Sequence, residues 1–457
     1  MPESITDAIL PLDPQLFVGT VTLVLIIHIV LAHVGLLTYL ERKISAYIQD
    51  RIGPNRVGFD LGIPALKSLF RGFGFWGLGQ ALADGLKFIL KEDYRPKGGD
   101  AILFTLAPMA AVIPALIGWA VIPWGGTLDL PQGITIAGTQ LVAPGTVTVA
   151  AADVNIGFIY LLAVASVGVY GVVLGGWASN NKYSFLGGLR SSAGMISYEL
   201  PMGLCILAVV LTAGTVLPSA IVEAQIASGW YILAHPLIAL IFFVCTLAEA
   251  NRAPFDKAEC EQELVGGFHT EYSSMRFALF FLAEYAHVIT GAAFFALLFL
   301  GGYHLPGIAL TSPEETGILA ALTKFAVFFT KVMGTVVFIM LIRWTIPRLR
   351  WDQVMKVCWN AFIPITLTAV VGVSVALYLG FDSIIAMLAV NLITLALAAL
   401  ITPALPKDNV NKRIQLAGSR FSPLPGEGVT TAAQPGLATT DNPFETPRGT
   451  TGISVQG

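Results

Sequence analysis

The sequence predicts an all-α polytopic integral membrane protein with about nine transmembrane helices. Three observations predict it. Over 457 residues the chain is 55% hydrophobic and 12% charged, with a mean hydropathy of +0.74, which is too apolar for a soluble fold of that length. Apolar runs of about 20 residues recur, each long enough to cross the hydrocarbon core as a helix. Lys and Arg collect in alternate connections between these runs, as they do on the cytoplasmic side of membrane proteins.

The runs lie near 16–40, 100–122, 154–178, 196–218, 231–250, 276–300, 321–342, 361–380 and 383–402, within one membrane domain over 1–403. The first follows MPESITDAILPLDP, which has no basic residue, and no small-residue cleavage site is evident behind it, so it reads as a retained helix. With the N-terminus outside, Arg42, Lys43, Arg51, Arg56, Lys67, Arg71, Lys87, Lys91, Arg95 and Lys97 fall in the first cytoplasmic loop. Lys182, Arg190, Arg252, Lys257, Arg348, Arg350 and Lys356 fall in later ones, and no exterior loop holds a Lys or Arg. The ninth run returns Lys407, Lys412, Arg413, Arg420 and Arg448 to the cytoplasm; without it that basic tail would lie outside. The tail, 404–457, is rich in Pro, Gly, Thr and Ser, and is expected to be disordered.

The first cytoplasmic loop opens with YLERKISAYIQDRIGPNRVG, in which Arg51 and Arg56 flank a break at Gly53 and Pro54. Anchoring by snorkelling Arg and Lys explains such a stretch as well as ligand binding does. Further on, GLGQALADGLKFILKEDYRP spaces Gln80, Asp84, Lys87 and Lys91 by four, three and four residues, with leucines mostly on other faces. That pattern predicts a helix lying along the interface, with Asp84 and Lys87 placed to pair.

Ionisable groups inside the spans carry the strongest functional signal. A charge in hydrocarbon costs roughly 2.5–3.5 kcal/mol on insertion scales, so such groups mark function more often than packing. Glu199, Glu249 and Glu284 place one carboxylate in each of three spans, and recurrence across helices favours a proton or ion relay over three separate struts. Between the second and third of these lies a dense acidic loop, with five acids against two bases from 251 to 275, including Glu259, Glu261 and Glu263. Lys324 and Lys331 add cations on the seventh span; Lys324 is placed to lie at its outer boundary, and Lys331 lies deeper and needs a partner.

The cysteines Cys205, Cys245, Cys260 and Cys358 form no C-x-x-C pair and read as free thiols, two in spans and two in cytoplasmic loops. His28, His33 and His287 lie in spans and read as polar groups facing neighbouring helices rather than as haem ligands. No metal site is expected in this chain, and any redox role must draw electrons from a partner.

Several blocks closely resemble the quinone-chamber membrane subunit of respiratory complex I, the H subunit of bacterial NADH:quinone oxidoreductase, called subunit 1 in mitochondria. They are ERKISAYIQDRIGPNRVG, ADGLKFILKE, LRSSAGMISYE, RAPFDKAECEQELVGGFHTEYSSMRFALFFLAEY and PRLRWDQVMKVCWNAFIP, in family order from about 39 to 364. Departures from the family pattern fall at Lys257, Ala258, Gly194, Ser274 and Asn360, and none removes a glutamate of the loop or of the AEY motif. The ninth span and the tail exceed the family's minimal form.

The resemblance implies a subunit of a proton-translocating enzyme that has no redox centre of its own. Its substrate would be a quinone, menaquinone or ubiquinone, with NADH, FMN and the iron–sulfur clusters held by partners. Those partners would be a peripheral subunit with the terminal cluster, a second peripheral subunit at the quinone site, and antiporter-like membrane subunits. The implied quinone-chamber residues are Arg42, Lys43, Arg51, Arg56, Phe255 and Asp256. The implied coupling residues are Asp84, Glu199, Glu249, Glu259, Glu261, Glu263 and Glu284. The implied location is a bacterial plasma membrane. Two rivals share part of this pattern: the homologous subunit of an energy-converting hydrogenase or ferredoxin-linked complex, and a stand-alone cation-coupled transporter. The span pattern shows no clear repeat to favour the transporter. A structural anchor for a peripheral arm is a third reading.

Overall fold

Helix caps set where the chain turns from loop to helix. The computed structural model describes residues 12–59, 75–136, 139–257 and 261–401. Helix α1 (Pro14–Ile48) starts where the Asp13 side chain accepts from the Gln15 N–H, with Pro14 in the first turn, where its missing N–H costs nothing. Helix α2 (Gln80–Leu90) is the amphipathic helix of the first loop. Asp100 caps α3 (Ala101–Ile117), which a 3-10 turn prolongs to Val121. Then follow α4 (Gly157–Ala178), α5 (Lys182–Ala213, capped by Asn181), α6 (Pro218–Ser228) and α7 (Pro236–Glu249). Helices α8 (Ser274–Phe299), α9 (Ile318–Thr345), α10 (Trp351–Tyr378, with a π turn at Cys358–Phe362) and α11 (Ile384–Ile401) complete the set.

Eight of these are long and apolar enough to cross a membrane among the described residues: α1, α3, α4, α5, α8, α9, α10 and α11. The remaining expected span, 231–250, is broken into a single turn, Tyr231–Ala234, and the 14-residue α7. Pro236 causes the break: it has no N–H to give and fits the first turn of a new helix, while His235 leaves helical geometry at φ −126°, ψ 56°. Helix α5 begins at Lys182 rather than near 196, and α10 at Trp351 rather than near 361. Apolarity marks the part of a helix that fits hydrocarbon, whereas a cap starts the helix wherever the backbone can be satisfied. Cys358, expected in a loop, therefore lies inside α10, its Sγ 3.0 Å from the Ser197 carbonyl of α5.

Two short two-stranded sheets between α3 and α4, one nested in the connection of the other, were not legible as strands. Strand β1 (Thr127–Leu130) pairs antiparallel with β4 (Gly145–Thr148), and β2 (Ile134–Ile136) with β3 (Thr139–Val142). Alternating Thr, Val and Ile suit the pleat, but segments of three or four residues are too short to announce a period.

Residues 1–398 form one compact unit. Its core interleaves α5, α7, α8 and α9 through Tyr198, Phe242, Phe299 and Phe328. Trp119, 2% exposed, donates from Nε1 to Thr290 Oγ1 at 2.5 Å, so its polar edge is satisfied in the interior. Small residues let helices approach closely: a methyl group at Gly171 of α4 would lie 2.6 Å from the Ala111 backbone nitrogen of α3. The second unit begins at Ala399, and of it only 399–401, in the last turn of α11, are described. The tail from 402, Cys260 and Glu259 lie outside the described residues.

Candidate functional site

The helices bring together a buried ionic cluster that the spacing of the sequence did not announce. Glu41, near the end of α1, is 8% exposed and accepts from three groups. Tyr285 of α8 donates its hydroxyl at 2.5 Å, Arg343 of α9 pairs with the second oxygen, and Arg252, beyond α7, stands 3.5 Å away. Arg252 itself is 6% exposed, and its Nε lies 2.9 Å from Glu284 of α8. Its guanidinium sits 4.1 Å from the centre of the Tyr285 ring, a cation–π contact strengthened by the dry surroundings. Two carboxylates and two guanidiniums thus offset one another where any single charge would be costly to bury. A cavity of about 10 Å3 opens beside them, lined by Glu41, Arg252, Tyr285 and Arg343 together with Ile339 and Met340.

Two larger cavities lie further along α8, one of them bordered by Glu284 of the cluster. One of about 40 Å3 is lined by Glu284, Asn251, Glu249 and His287, and another of about 20 Å3 by Glu249, His287 and Thr290. Each exceeds the ~10–15 Å3 that a single water requires, and each sets a few polar groups into largely apolar walls. Glu249 therefore borders both spaces, and α5, which carries Glu199, packs against α7. Glu199 is engaged by the Ser166 hydroxyl of α4. The three intramembrane glutamates thus belong to one region, on α5, α7 and α8.

The remaining expected site residues are more dispersed. Asp84 of α2 faces α1, where Arg42 pairs with it at 2.7 Å; this is the partner it takes in place of Lys87, because packing of α2 on α1 brings a guanidinium within reach. Lys43 is 8% exposed, donates to the Ile52 carbonyl at 3.1 Å and lies over the Tyr39 and Tyr47 rings, which fixes the turn at Gly53. Arg51 and Arg56 are exposed, Arg51 donating to the Gln49 side chain at 2.8 Å. Phe255 is buried edge-on to Tyr198, 5.3 Å between ring centres, and buried Asp256 accepts from Arg348 at 2.8 Å. Glu263 pairs with Arg190 at 2.5 Å near the surface. Glu261 begins the single turn Glu261–Leu264. Beside this loop Tyr272 stacks on Phe104 at 4.0 Å, and burial pushes its hydroxyl well above the ordinary phenol range, with Arg276 opposing.

The two lysines of α9 are held by backbone. Lys331 donates to the carbonyls of Leu300, Gly302 and His304 at 2.6, 2.9 and 2.6 Å, and lies 4.6 Å from the Trp230 ring centre. It occupies all three ammonium donors at the C-terminal end of α8, where a cation also meets the negative end of the helix dipole. Lys324, expected at the boundary, is fully buried and donates to the Glu315 carbonyl at 2.6 Å. Both are structural clamps by their contacts. Replacing Lys331 with methionine is expected to leave three carbonyls without their donor and to lower stability by about 3 kcal/mol, measured as a lower thermal midpoint of the purified protein. His28 and His33 bond carbonyls of their own helix, Val24 at 2.7 Å and Ile29 at 2.6 Å. Cys205, Cys245 and Cys358 are buried free thiols.

The NADH dehydrogenase family model matches residues 21–374, more than three quarters of the chain. This chain belongs to that family. Its relatives include the H 1 subunit of the NADH-quinone oxidoreductase of Cytophaga hutchinsonii, 43% identical over 351 residues, which covers 77% of this chain and 93% of the relative. The H 1 subunit of the Geobacter sulfurreducens enzyme is 43% identical over 367 residues, covering 79% of this chain and 96% of the relative. The H subunit of the Flavobacterium johnsoniae enzyme is 42% identical over 330 residues, covering 72% and 86% respectively. The resemblance carried by the ERKISAY, RAPFD and AEY blocks is therefore borne out, and the chain is a multi-pass membrane member of the H-subunit group of this family. Helix α11 lies beyond the family match.

Within the NADH dehydrogenase family frame, the residues that spacing missed are Glu41, Arg343 and Tyr285, together with Arg252 in the role the cluster gives it. Glu41 and Arg252 read as span-end charges, and Arg343 ends a span with no partner nearby in the sequence. The available signal was the AEY block itself, where Tyr285 sits beside Glu284. Their partnership spans α1, α8 and α9 and becomes visible only once those helices pack.

Proposed function

We propose that this chain is the H subunit of a proton-translocating NADH:quinone oxidoreductase in a bacterial plasma membrane, with its N-terminus outside and its tail in the cytoplasm. Its part is to close the membrane end of a quinone chamber shared with peripheral subunits, one of which holds the terminal iron–sulfur cluster. Reduction of the quinone by two electrons consumes two protons, and the charge change is passed through the acidic loop, with Glu259, Glu261 and Glu263, to Glu284, Glu249 and Glu199. Antiporter-like subunits then take up the signal. Arg42, Lys43, Arg51 and Arg56 would border the quinone path, with Asp84 tying Arg42 to the interfacial helix. Phe255 and Asp256 would hold the wall of the loop.

The observation that supports this reading is that the Glu41, Arg252 and Glu284 cluster meets, at Glu284, a cavity that Glu249 also borders. A buried set of carboxylates held among fixed guanidiniums responds to an added charge by moving a proton, since the low dielectric makes each charge felt over several ångströms. A scaffold would need neither the buried charges nor cavities bordered by carboxylates.

The test is gentle purification through a tag on this chain, with mass spectrometry and NADH:quinone activity of the eluate. Iron–sulfur and antiporter-like subunits with inhibitor-sensitive quinone reduction are expected. Recovery of a hydrogenase-like catalytic subunit would replace the donor, and recovery of the chain alone with cation-coupled uptake in liposomes would overturn the reading in favour of a transporter.

A further inference from the structure

His287 stands beside the cavity that Glu284 and Glu249 share. It lies on α8 three residues after Glu284, so both side chains leave the same face of that helix. It lines both larger cavities, and the only other residue shared by the two is Glu249. The titratable groups that line these cavities with it are Glu249 from α7 and Glu284 from its own helix, beside the polar Asn251 and Thr290. Helices α3, α4 and α5 contribute apolar walls, Ala111, Gly168 and Met195 among them. Gly168 leaves the ring its room: a methyl group there would meet His287 Nε2 at 3.3 Å.

We infer that His287 carries a proton between Glu284 and Glu249, serving as the middle station of the glutamate row. The inference rests on the relay reading above. An imidazole suits the position because it has two nitrogens on opposite edges, one able to accept while the other donates. A proton bound at one nitrogen gives an imidazolium, and release from the other restores the neutral ring as the opposite tautomer. One proton moves and no electron does; the ring resets by turning over, which carries the remaining N–H to the side from which the ring donates and leaves the free nitrogen facing the donor again. A histidine serving only as packing would present a hydrogen-bonded nitrogen to a carbonyl, as His28 and His33 do within their own helix, rather than border two cavities that each hold a buried carboxylate.

The experiment is proton translocation by the assembled complex in liposomes, read per NADH oxidised, with NADH:ferricyanide activity as the measure of assembly. His287→Gln keeps the size and a hydrogen-bonding amide but cannot be protonated near neutral pH; it is expected to lower translocation about 10²-fold, the lower end of what a positioned acid–base group supplies. Translocation at the parent level in His287→Gln, beside loss in Glu249→Gln, would overturn the inference and leave the relay standing. Parent-level translocation in both would remove the relay itself. If His287→Gln does not assemble, His287→Asn supplies the same comparison with a smaller side chain.

Discussion

Replacement of Arg252 by methionine is expected to lower the stability of the folded chain by about 3–5 kcal/mol and to abolish quinone reduction in whatever complex still assembles. Both effects have one origin. Arg252 is 6% exposed, touches Glu284 at 2.9 Å and Glu41 at 3.5 Å, and rests on the Tyr285 ring. Methionine retains much of the apolar stem but leaves two carboxylates short of a cation in a low dielectric, and desolvation then exceeds what remains of their pairing. Loss of the thermal transition in detergent would report the first effect, and NADH:quinone activity the second. Arg252→Lys separates them: a lysine keeps the charge but cannot reach both carboxylates in a planar fork, so stability should recover more than activity does. A methionine variant that unfolds at the parent temperature would show that the cluster contributes nothing to the fold.

The second large effect concerns Glu249. Glu249→Gln in the assembled complex is expected to lower proton translocation about 10²-fold, the lower end of what a positioned acid–base group supplies, while NADH:ferricyanide activity holds at the parent level. Glutamine matches glutamate in shape, and the cavities on either side of Glu249 tolerate an amide. A packing role predicts the reverse order, with assembly failing before activity. Glu284→Gln is expected to lose both, because Glu284 also pairs with Arg252, so a difference between the two variants is itself diagnostic. Unchanged protons per electron in both variants would sink the relay.

Much of this fold could be read from residue order. Leu, Val, Ile, Phe and Ala runs of sufficient length require helices in a membrane, since no other open structure satisfies its own backbone in lipid. The amphipathic helix at Gln80–Leu90 followed from its spacing of charges. The break at His235 and Pro236 was less legible: proline is tolerated inside α3 at Pro108 and Pro114 and inside α5 at Pro201, yet at 236 it begins a new helix. Identical chemistry has different outcomes because neighbouring helices decide whether a freed carbonyl finds a partner.

By itself the sequence determined the membrane class, the approximate spans, the family and the presence of carboxylates where carboxylates are expensive. These are local properties, fixed by transfer free energies and by blocks of contiguous residues. Tertiary structure alone decided which charges meet. Arg42 found Asp84 rather than headgroups, and Lys331 found three carbonyls rather than a carboxylate. Glu41 met Arg343 and Arg252 across α1 and α9, separated by some three hundred residues in the case of Arg343. Pairing energy depends on distance and dielectric in space, and neither quantity is a function of position along the chain.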